Sequence, residues 1–388
     1  NIYTLAADVL PTEALPQYVR QLQTGGLLSL ATMRLIATTA TADYALLYLK
    51  QGPVTLGYHA LERMLQVAEE TGAAMVYADH YSVEAGKTVK HPVTAYQLGS
   101  IRDDFDFGSV VLLKTAYLKE YATREVEKDY QFAGWYDLRL FLSRKGELFH
   151  LNEYLYTEEE DDLRASGEKQ FDYVNPRNRE VQIEMEQAAT AHLSAINALV
   201  DTTLYVQPDF SGETFPVEAS VVIPVFNREK TVRDAVVSAL SQKTDFPFNV
   251  IVVDNHSTDG TTEILSSLAA DKRLVHLIPT RTDLGIGGCW NYAINDAHCG
   301  RFAVQLDSDD LYSSENTLQT IVNAFHEQKA AMIVGSYRMC DFDLNTLPPG
   351  LISHNEWTED NGCNNALRIN GLGAPRAFFT PLVRQHQF

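Results

Sequence analysis

The sequence predicts an α/β protein built from two related modules, each a mostly parallel sheet with helices on its faces. The first observation behind this prediction is an internal repeat of strand, loop, helix and strand. The repeated segments begin at Ala45, Ala60 and Ala73, and again 257 residues later at Phe302, Thr317 and Ala330. The second observation is that the later half opens with an alternation of strand, helix and strand, which is typical of a parallel sheet.

Length, charge and cysteine usage narrow the class of protein. The chain has 388 residues, enough for two domains, and a formal net charge of −20, which argues against binding to nucleic acid or to anionic lipid. No run of about 18 apolar residues predicts a membrane span. The four cysteines form no C-x-x-C pair, so a soluble protein in the reducing cytoplasm is expected.

The repeat divides the chain into three predicted parts. Residues 1–176 form a first module, 177–218 a connecting helix and linker, and 219–388 a second module that we expect to be truncated at its C-terminus. The polar segment from Thr157 predicts a loop. The apolar spacing after Arg177 predicts a helix.

The second module opens with a predicted βαβ unit. A buried strand at Val221–Ile223 is expected to end at Pro224, and a helix from Thr231 leads to a strand from Phe248. Ligands of such sheets bind beyond the carboxyl ends of the strands.

Three carboxylates follow the strand that starts at Phe302. Asp307, Asp309 and Asp310 would raise each other's pKa unless a cation lies between them. Mg²⁺ or Mn²⁺ takes oxygen ligands and completes its shell with water and phosphate oxygens. The segment therefore predicts a divalent metal site; the alternative is a solvated acidic turn that caps the following helix.

Two more polar segments stand at strand ends. The run from Pro224 to Arg228 can wrap a base and ribose, or be an ordinary turn into a helix. Asp254 and Asn255 end the next strand, where they can hydrogen-bond a base or ribose. Ser257 and Asp259 are suited to capping the next helix.

A glycine-rich segment, DLGIGGCWNYAIN, begins at Asp283. Its glycines suit a loop that approaches a ligand closely. It lacks the G-K-[ST] of a phosphate-binding Walker loop, and it does not follow the first strand as a dinucleotide fingerprint must. A plain turn into a helix is the alternative.

Taken in order, the segments ASVVIPVFNR, VVDNHSTDGT, CWNYAIN and QLDSDD resemble a family 2 glycosyltransferase of the GT-A fold. The resemblance covers about Ser220 to Phe388. It implies inverting transfer of a hexose or N-acetylhexosamine from a nucleoside-diphosphate sugar, most often a UDP-sugar, to a hydroxyl of a glycan or glycoconjugate. It also implies Mn²⁺ or Mg²⁺ as cofactor and a place in bacterial polysaccharide synthesis.

The resemblance also implies roles for individual residues. The nucleotide-binding residues would be Pro224, Phe226, Asn227, Arg228, Asp254, Asn255, Asn291, Asp307 and Ser308. Asp307 and Asp309 would be the Asp-x-Asp pair that handles the ribose and the metal-bound diphosphate. Two positions depart from the family pattern. Many members have two acidic residues in place of Asp254-Asn255, and many have Ala-Arg-Asn in place of Cys289-Trp290-Asn291.

The first module has Lys50-Gln51-Gly52 where the repeat places Asp307-Ser308-Asp309. We therefore expect a degenerate module without metal-dependent activity, which binds acceptor glycan or supports the second module. An active, metal-independent domain is the alternative.

The catalytic base is the missing part of the predicted mechanism. The family base would stand where the first module has Tyr136-Asp137, and the repeat offset carries that position just beyond Phe388. Asp360 is a substitute within the sequence.

Aromatic and basic residues near the end of the chain complete the predicted site. Trp357 and Glu359 are expected to contact the acceptor or the donor sugar, because an indole ring can stack on a sugar. Arg376 is expected near phosphate.

Two other classes of protein fit parts of this pattern. A sugar-nucleotidyltransferase also uses metal-binding carboxylates but should carry a glycine-rich basic loop after the first strand, where this chain has PVFNR. A non-catalytic glycan- or nucleotide-binding scaffold fits the first module, whereas Asp307 and Asp309 argue against it for the second.

Overall fold

The computed structural model describes residues 1–6, 15–84, 86–159, 178–369, 371–373 and 375–388. The chain forms two compact units. The first comprises Asn1–Val200 and Asn355–Gly371, and the second comprises Asp201–His354 and Leu372–Phe388. The predicted boundary at 176 lies outside the described residues, and the limits given by the repeat stay predictions.

The strands and helices are numbered in chain order. The strands are β1 (Ile2–Ala6), β2 (Val19–Gln23), β3 (Tyr44–Tyr48), β4 (Val54–Leu56), β5 (Met75–Glu84), β6 (Lys87–His91), β7 (Val110–Lys114), β8 (Leu148–Glu159), β9 (Ala219–Val225), β10 (Phe248–Asp254), β11 (Leu274–Leu277), β12 (Phe302–Gln305), β13 (Met332–Val334), β14 (Tyr337–Cys340), β15 (Thr346–Ile352) and β16 (Arg376–Phe379). The helices are α1 (Leu30–Thr39), α2 (Ala60–Thr71), α3 (Thr115–Thr123), α4 (Gly134–Ser143), α5 (Arg179–Ala195), α6 (Val232–Leu240), α7 (Thr261–Leu268), α8 (Gly285–Asn295), α9 (Thr317–Gln328), α10 (Glu359–Gly362), α11 (Asn365–Arg368) and α12 (Thr380–His386).

The second unit is built around a six-stranded sheet in the order β11-β10-β9-β12-β16-β13. The strands β11, β10, β9 and β12 are parallel, and β16 is antiparallel to both β12 and β13. The helices α6, α7 and α8 make the connections between the parallel strands, as parallel pairing requires. The predicted βαβ opening is therefore confirmed, and the carboxyl ends of β9, β10 and β12 share one edge of the sheet.

The core of the second unit explains why this sheet forms. Every residue of β9 and β10 is buried, which matches their continuous apolar sequences. On one face the ring of Phe302 stacks on Phe325 of α9 with centroids 4.2 Å apart. Among the helices that the described residues form, none is both long and apolar enough to cross a bilayer.

The first unit contains a mixed sheet in the order β3-β7-β5-β8-β4, with β6 beside β5. Strand β7 lies between β3 and β5 and is antiparallel to both, as β16 is to β12 and β13 in the second unit. The helices α2 and α9 begin and end 257 residues apart. The shared order and polarity support the predicted repeat of two related modules, which remains a prediction.

The structure differs from the sequence prediction at two strand ends. β9 continues through Pro224 to Val225. A proline is tolerated there because β12 pairs with β9 only as far as Val222, so no neighbouring carbonyl lacks a donor at Pro224. In the first unit, β8 includes Thr157 and ends at Glu159, because it pairs with β4 and β5 up to this point. The rest of the predicted loop lies outside the described residues.

A fully buried arginine ties residues 355–371 into the first unit. Arg368 is 0% exposed, and its guanidinium donates to the carboxylates of Asp103 and Glu186 and to Gln182 Oε1. Glu186 and Gln182 belong to α5. The guanidinium offsets the charge of one carboxylate and supplies hydrogen bonds to both, while burial raises the pKa of Asp103 above its ordinary value.

We expect Arg368→Ala to destabilise the first unit strongly. The change leaves the carboxylates of Asp103 and Glu186 buried without their cation, at a cost of about 3–5 kcal/mol in free energy of unfolding. Urea unfolding followed by circular dichroism measures this cost. The control is Arg102→Ala, because Arg102 and Asp104 form an exposed pair at 2.7 Å that contributes less than about 1 kcal/mol. Equal losses in the two variants would contradict the prediction.

Candidate active site

The carboxyl ends of β9, β10 and β12 bring together the three segments that the sequence predicts to bind a ligand. Phe226–Arg228 follows β9, Asp254 ends β10, and Asp307–Asp309 follows β12. Because β9 lies between the other two strands, its loop can reach both. Arg228 Nε lies 3.8 Å from Asp309 Oδ2, so the loop after β9 meets the acidic segment.

Hydrogen bonds to the segment before α7 fix the loop after β9. Asn227 has a φ of 53°, in the left-handed region that asparagine enters more readily than most residues. Its Oδ1 accepts from the backbone N–H of Thr258 at 2.7 Å, and its own N–H donates to Ser257 Oγ at 3.0 Å. The N–H of Arg228 donates to Thr261 Oγ1 at 2.8 Å. The Asn227 side chain thus shapes the loop.

Two side chains of this loop remain open to a ligand. Phe226 is 53% exposed, and the Arg228 side chain is about half exposed. An aromatic ring can stack on a nucleotide base, and a guanidinium binds phosphate oxygens. The predicted contacts of Phe226 and Arg228 with a nucleotide stay a prediction.

Asp254 is buried and hydrogen-bonded within the protein. One carboxylate oxygen accepts from the N–H of Ser257 at 2.9 Å, and the other accepts from Thr262 Oγ1 at 2.6 Å. Burial raises the pKa of Asp254, but these hydrogen bonds outweigh it and lower the pKa below its ordinary value. Asp254 therefore organises the turn after β10, and its predicted contact with a base stays a prediction.

Asn255 carries a buried acceptor that the protein leaves unused. Its backbone N–H donates to Val225 O at 2.9 Å, which fixes the residue beside the end of β9. Its side-chain Oδ1 is buried, and no donor within the described residues reaches it. A buried acceptor without a donor costs about 1–3 kcal/mol, so a ligand that supplies an N–H would remove this penalty.

The two predicted caps of α7 have different roles. Asp259 Oδ1 accepts from the N–H of Thr261 at 2.9 Å, so Asp259 caps the first turn as predicted. Ser257 accepts from Asn227 instead. The prediction for Ser257 was wrong because Gly260 occupies the N-cap position, which leaves Ser257 too far from the first helical N–H groups.

The acidic segment after β12 gathers negative charge. Partial burial, followed by the charges of Asp307 and Asp309, raises the pKa of Asp310 to about 6. Asp307 Oδ1 accepts from Gln305 Nε2 at 2.9 Å. Ser308 is buried between the two acidic residues. Like charges this close raise each other's pKa, and a cation between them would offset that repulsion.

The donor set fits a hard divalent ion. In the described part of the chain, no group of three His, Cys, Asp or Glu side chains is arranged to hold a metal ion. Asp307 and Asp309 could supply two oxygen ligands, and Mg²⁺ or Mn²⁺ commonly takes its other ligands from water and substrate phosphates. Burial is the larger cause of the raised pKa of Asp310, and the charges of Asp307 and Asp309 add to it.

Pro224 and Asn291 are placed less directly for nucleotide binding. Pro224 is buried inside β9. Asn291 lies on α8, and its amide exchanges two hydrogen bonds with the backbone of Phe388, at 2.9 Å and 2.7 Å. The glycine-rich segment forms the first turn of α8, which is the predicted alternative to a ligand loop.

Trp357, Glu359 and Asp360 belong to the first unit, whereas the strand ends described above belong to the second. Asp360 is exposed and pairs with Arg179 of α5 at 2.8 Å. A hydrogen bond from Thr358, with the charge of Arg179, lowers the pKa of Asp360. A carboxylate with a lowered pKa is a weaker proton acceptor, so this arrangement disfavours Asp360 as the base.

The first unit has an internal ion pair at the position where the repeat predicts lost metal ligands. Lys50 Nζ lies 2.5 Å from Glu158 Oε1, and His80 Nε2 lies 3.2 Å from the same oxygen. Ser109 Oγ donates to the other oxygen of Glu158. Burial opposes the charge of Glu158, but hydrogen bonds from His80, Lys50 and Ser109 lower its pKa to about 2.

The second unit is similar in sequence to known proteins. Residues 220–380 match the family model described as glycosyl transferase family 2. An uncharacterized glycosyltransferase of Haemophilus influenzae is 28% identical over 128 residues, which cover 33% of this chain and 50% of that protein. The putative teichuronic acid biosynthesis glycosyltransferase TuaG of Bacillus subtilis is 27% identical over 148 residues, which cover 38% of this chain and 58% of that protein. The chain thus spans about half the length of these relatives.

Among solved structures, S. aureus TarS 1-349 in complex with UDP-GlcNAc is 25% identical, with a TM-score of 0.35. The match covers 44% of this chain and 47% of that one.

The second unit is an α/β domain with a mostly parallel sheet and an acidic segment after β12, as the sequence predicts. Residues 220–380 form a family 2 glycosyltransferase domain. The prediction made from the four sequence segments is confirmed at this level.

We expect the ion pair of the first unit to make that unit sensitive to acid. Because the pKa of Glu158 falls from its ordinary 4.5 to about 2 on folding, its contribution is full above pH 4.5 and is lost as the pH falls towards 2. The loss amounts to about 3 kcal/mol. Urea unfolding at a series of pH values measures it.

The comparison variants for this titration are neighbours on β8. Glu158→Gln should flatten the pH dependence of unfolding, whereas Glu159→Gln, at an exposed position, should leave it as in the parent protein. A steep acid loss that persists in Glu158→Gln would show that other groups cause it.

Proposed function

We propose that the second unit transfers a sugar from a nucleoside-diphosphate sugar, namely a UDP-sugar, to a hydroxyl of a glycan or glycoconjugate, with inversion at the anomeric carbon. The observation that carries the proposal is the approach of Arg228 Nε to Asp309 Oδ2 at 3.8 Å. This contact brings the loop after β9, which would hold the nucleotide, next to the carboxylates that would hold a metal. A family 2 glycosyltransferase domain needs both around one diphosphate.

The unused acceptor of Asn255 supports a uracil base. Uracil presents its N3–H as a donor, and Asn255 Oδ1 is a buried acceptor without a donor among the described residues. The exposed ring of Phe226 offers a stacking surface for the base. Guanine also presents ring N–H donors, so GDP is the nucleotide against which UDP must be compared.

Asp307 and Asp309 would hold the Mn²⁺ or Mg²⁺ ion. A divalent ion at this position acts as a Lewis acid and stabilises the charge of the departing diphosphate. Arg228, next to Asp309, would bind a phosphate oxygen. Its positive charge would offset part of the negative charge that the diphosphate brings to the acidic segment.

The acceptor side of the reaction is the less specified part of the proposal. An inverting displacement needs a base that removes the acceptor proton, and the lowered pKa of Asp360 makes it a poor choice. Sugar binding by Trp357 and Glu359 is retained as part of the proposal, together with hexosyl or N-acetylhexosaminyl transfer and a cytoplasmic role in bacterial polysaccharide synthesis.

A non-catalytic role is favoured for the first unit by one observation. Lys50 is neutralised by Glu158 at 2.5 Å, so the position that corresponds to the metal ligands is already balanced in charge. We propose that the first unit supports the second or binds acceptor glycan.

Calorimetric titration of the whole chain with UDP and GDP, each with and without Mn²⁺, tests the proposed function. We expect UDP with Mn²⁺ to bind most tightly, because metal and nucleotide neutralise each other's charge at Asp307 and Asp309. Asp309→Ala should remove the effect of Mn²⁺ on UDP binding.

Asp343→Ala is the matched control for Asp309→Ala, since Asp343 is exposed between β14 and β15. It should keep the full Mn²⁺ effect. Equal and negligible binding of both nucleotides in all conditions would count decisively against a glycosyltransferase site.

We expect Asn255→Leu to weaken UDP binding about tenfold, because the base N–H then loses its acceptor in a buried position. The ratio of UDP to CDP affinity should fall in the same variant, since cytosine has no N3–H. Asn323→Leu, at an exposed position on α9, should preserve both values. An unchanged ratio of UDP to CDP affinity in Asn255→Leu would mean that the base does not bind at Asn255.

A further inference from the structure

A chain of two hydrogen bonds links β16 to the acidic segment after β12. Arg376 Nε donates to Gln305 Oε1 at 2.9 Å. Gln305 Nε2 in turn donates to Asp307 Oδ1 at 2.9 Å. The chain therefore runs from a guanidinium through an amide to a carboxylate that the proposed function uses as a metal ligand.

Sheet register creates this arrangement. Val304 pairs with Ala377 in the antiparallel ladder of β12 and β16, so Arg376 falls opposite Gln305. Gln305 is only 5% exposed, although every other residue of β12 is apolar. A buried amide destabilises the fold unless its groups are hydrogen-bonded, and here both ends of the amide have partners.

The chemistry of the partners fixes the direction of the amide. A guanidinium can only donate, and an ionised carboxylate can only accept. The Gln305 oxygen must therefore face Arg376, and its NH₂ must face Asp307. This leaves Asp307 held through Oδ1, while no donor among the described residues contacts Oδ2.

We propose that Gln305 is a positioning residue for Asp307, oriented by Arg376, and that the affinity of the site for a divalent ion with UDP depends on this hydrogen-bond chain. The proposal rests on the proposed function, because it assigns Asp307 Oδ2 to the metal-nucleotide complex. Holding one oxygen in place lowers the conformational entropy that Asp307 would lose on binding.

The test measures Mn²⁺ binding to the whole chain at saturating UDP. The electron paramagnetic resonance signal of free Mn²⁺ reports how much of the ion is bound. Gln305→Leu should raise the Mn²⁺ Kd about tenfold, the usual scale for groups that orient metal ligands. Arg376→Met should raise it less, because Gln305 can still donate to Asp307. The double variant should match Gln305→Leu, since the two residues act in series.

The double variant separates this proposal from direct phosphate binding by Arg376. Additive losses would show that Arg376 acts independently of Gln305 and would overturn the series arrangement. Arg376→Lys should recover part of the Mn²⁺ affinity, because an ammonium can still donate to the Gln305 oxygen. Arg384→Met is the matched control, as Arg384 donates to a backbone oxygen of α8 at 2.7 Å, and it should retain the parent Kd.

Thermal unfolding of each variant establishes that it is folded. Should Gln305→Leu fail to fold, Arg376→Met, at a half-buried position, carries the test with its lysine counterpart. If Gln305→Leu folds and binds Mn²⁺ with the affinity of the parent chain, this inference is overturned and the proposed function stands. If Gln305→Leu does not fold, the same result in Arg376→Met has the same meaning. Absence of Mn²⁺ and UDP binding in the parent chain would overturn both.

Discussion

Negative charge at the carboxyl end of β12, which Arg228 offsets only in part, is the constraint on which the site depends. Burial, and then the charges of Asp307 and Asp309, raise the pKa of Asp310 to about 6, in a chain whose net charge is already −20. An anionic substrate would be repelled from such a place without a cation. The same charges that would make the site unfavourable for diphosphate would make it favourable for a divalent ion, and such an ion would reverse the sign of the charge that the substrate meets.

The loops around this charge are organised before any ligand binds. The side chains of Asn227 and Asp254 accept hydrogen bonds from backbone N–H groups of the segment between β10 and α7. These bonds hold the loop after β9 against the neighbouring loop. Phe226 and Arg228 remain exposed on this frame. A site whose backbone is fixed internally loses less entropy when it binds, which favours affinity and correct orientation of the donor.

Sequence alone predicted the parts of the site that depend on one strand and the residues next to it. The βαβ opening and the acidic strand end are confirmed because buried parallel strands have long apolar runs and their ligand residues follow directly. The Gln305–Arg376 contact could not be predicted, since it depends on the register between strands β12 and β16, and the two residues are 71 positions apart in sequence. Nor did any local pattern indicate that Asn355–Gly371 packs with the first unit, because buried Arg368 resembles any exposed helical arginine in sequence.

The two units differ in charge at the positions that the predicted repeat makes equivalent. In the first unit the ammonium of Lys50 pairs with the carboxylate of Glu158. His80 and Ser109 also contact this carboxylate through polar atoms. Such a cluster satisfies its own charge and gains nothing from a metal ion. In the second unit, Arg228 approaches Asp309 no closer than 3.8 Å, and Asp307 has an oxygen that no described donor contacts. A strand end whose charge is balanced internally contributes stability, whereas one left unbalanced can bind a cation that the protein itself does not supply, which is the difference that the two proposed roles require.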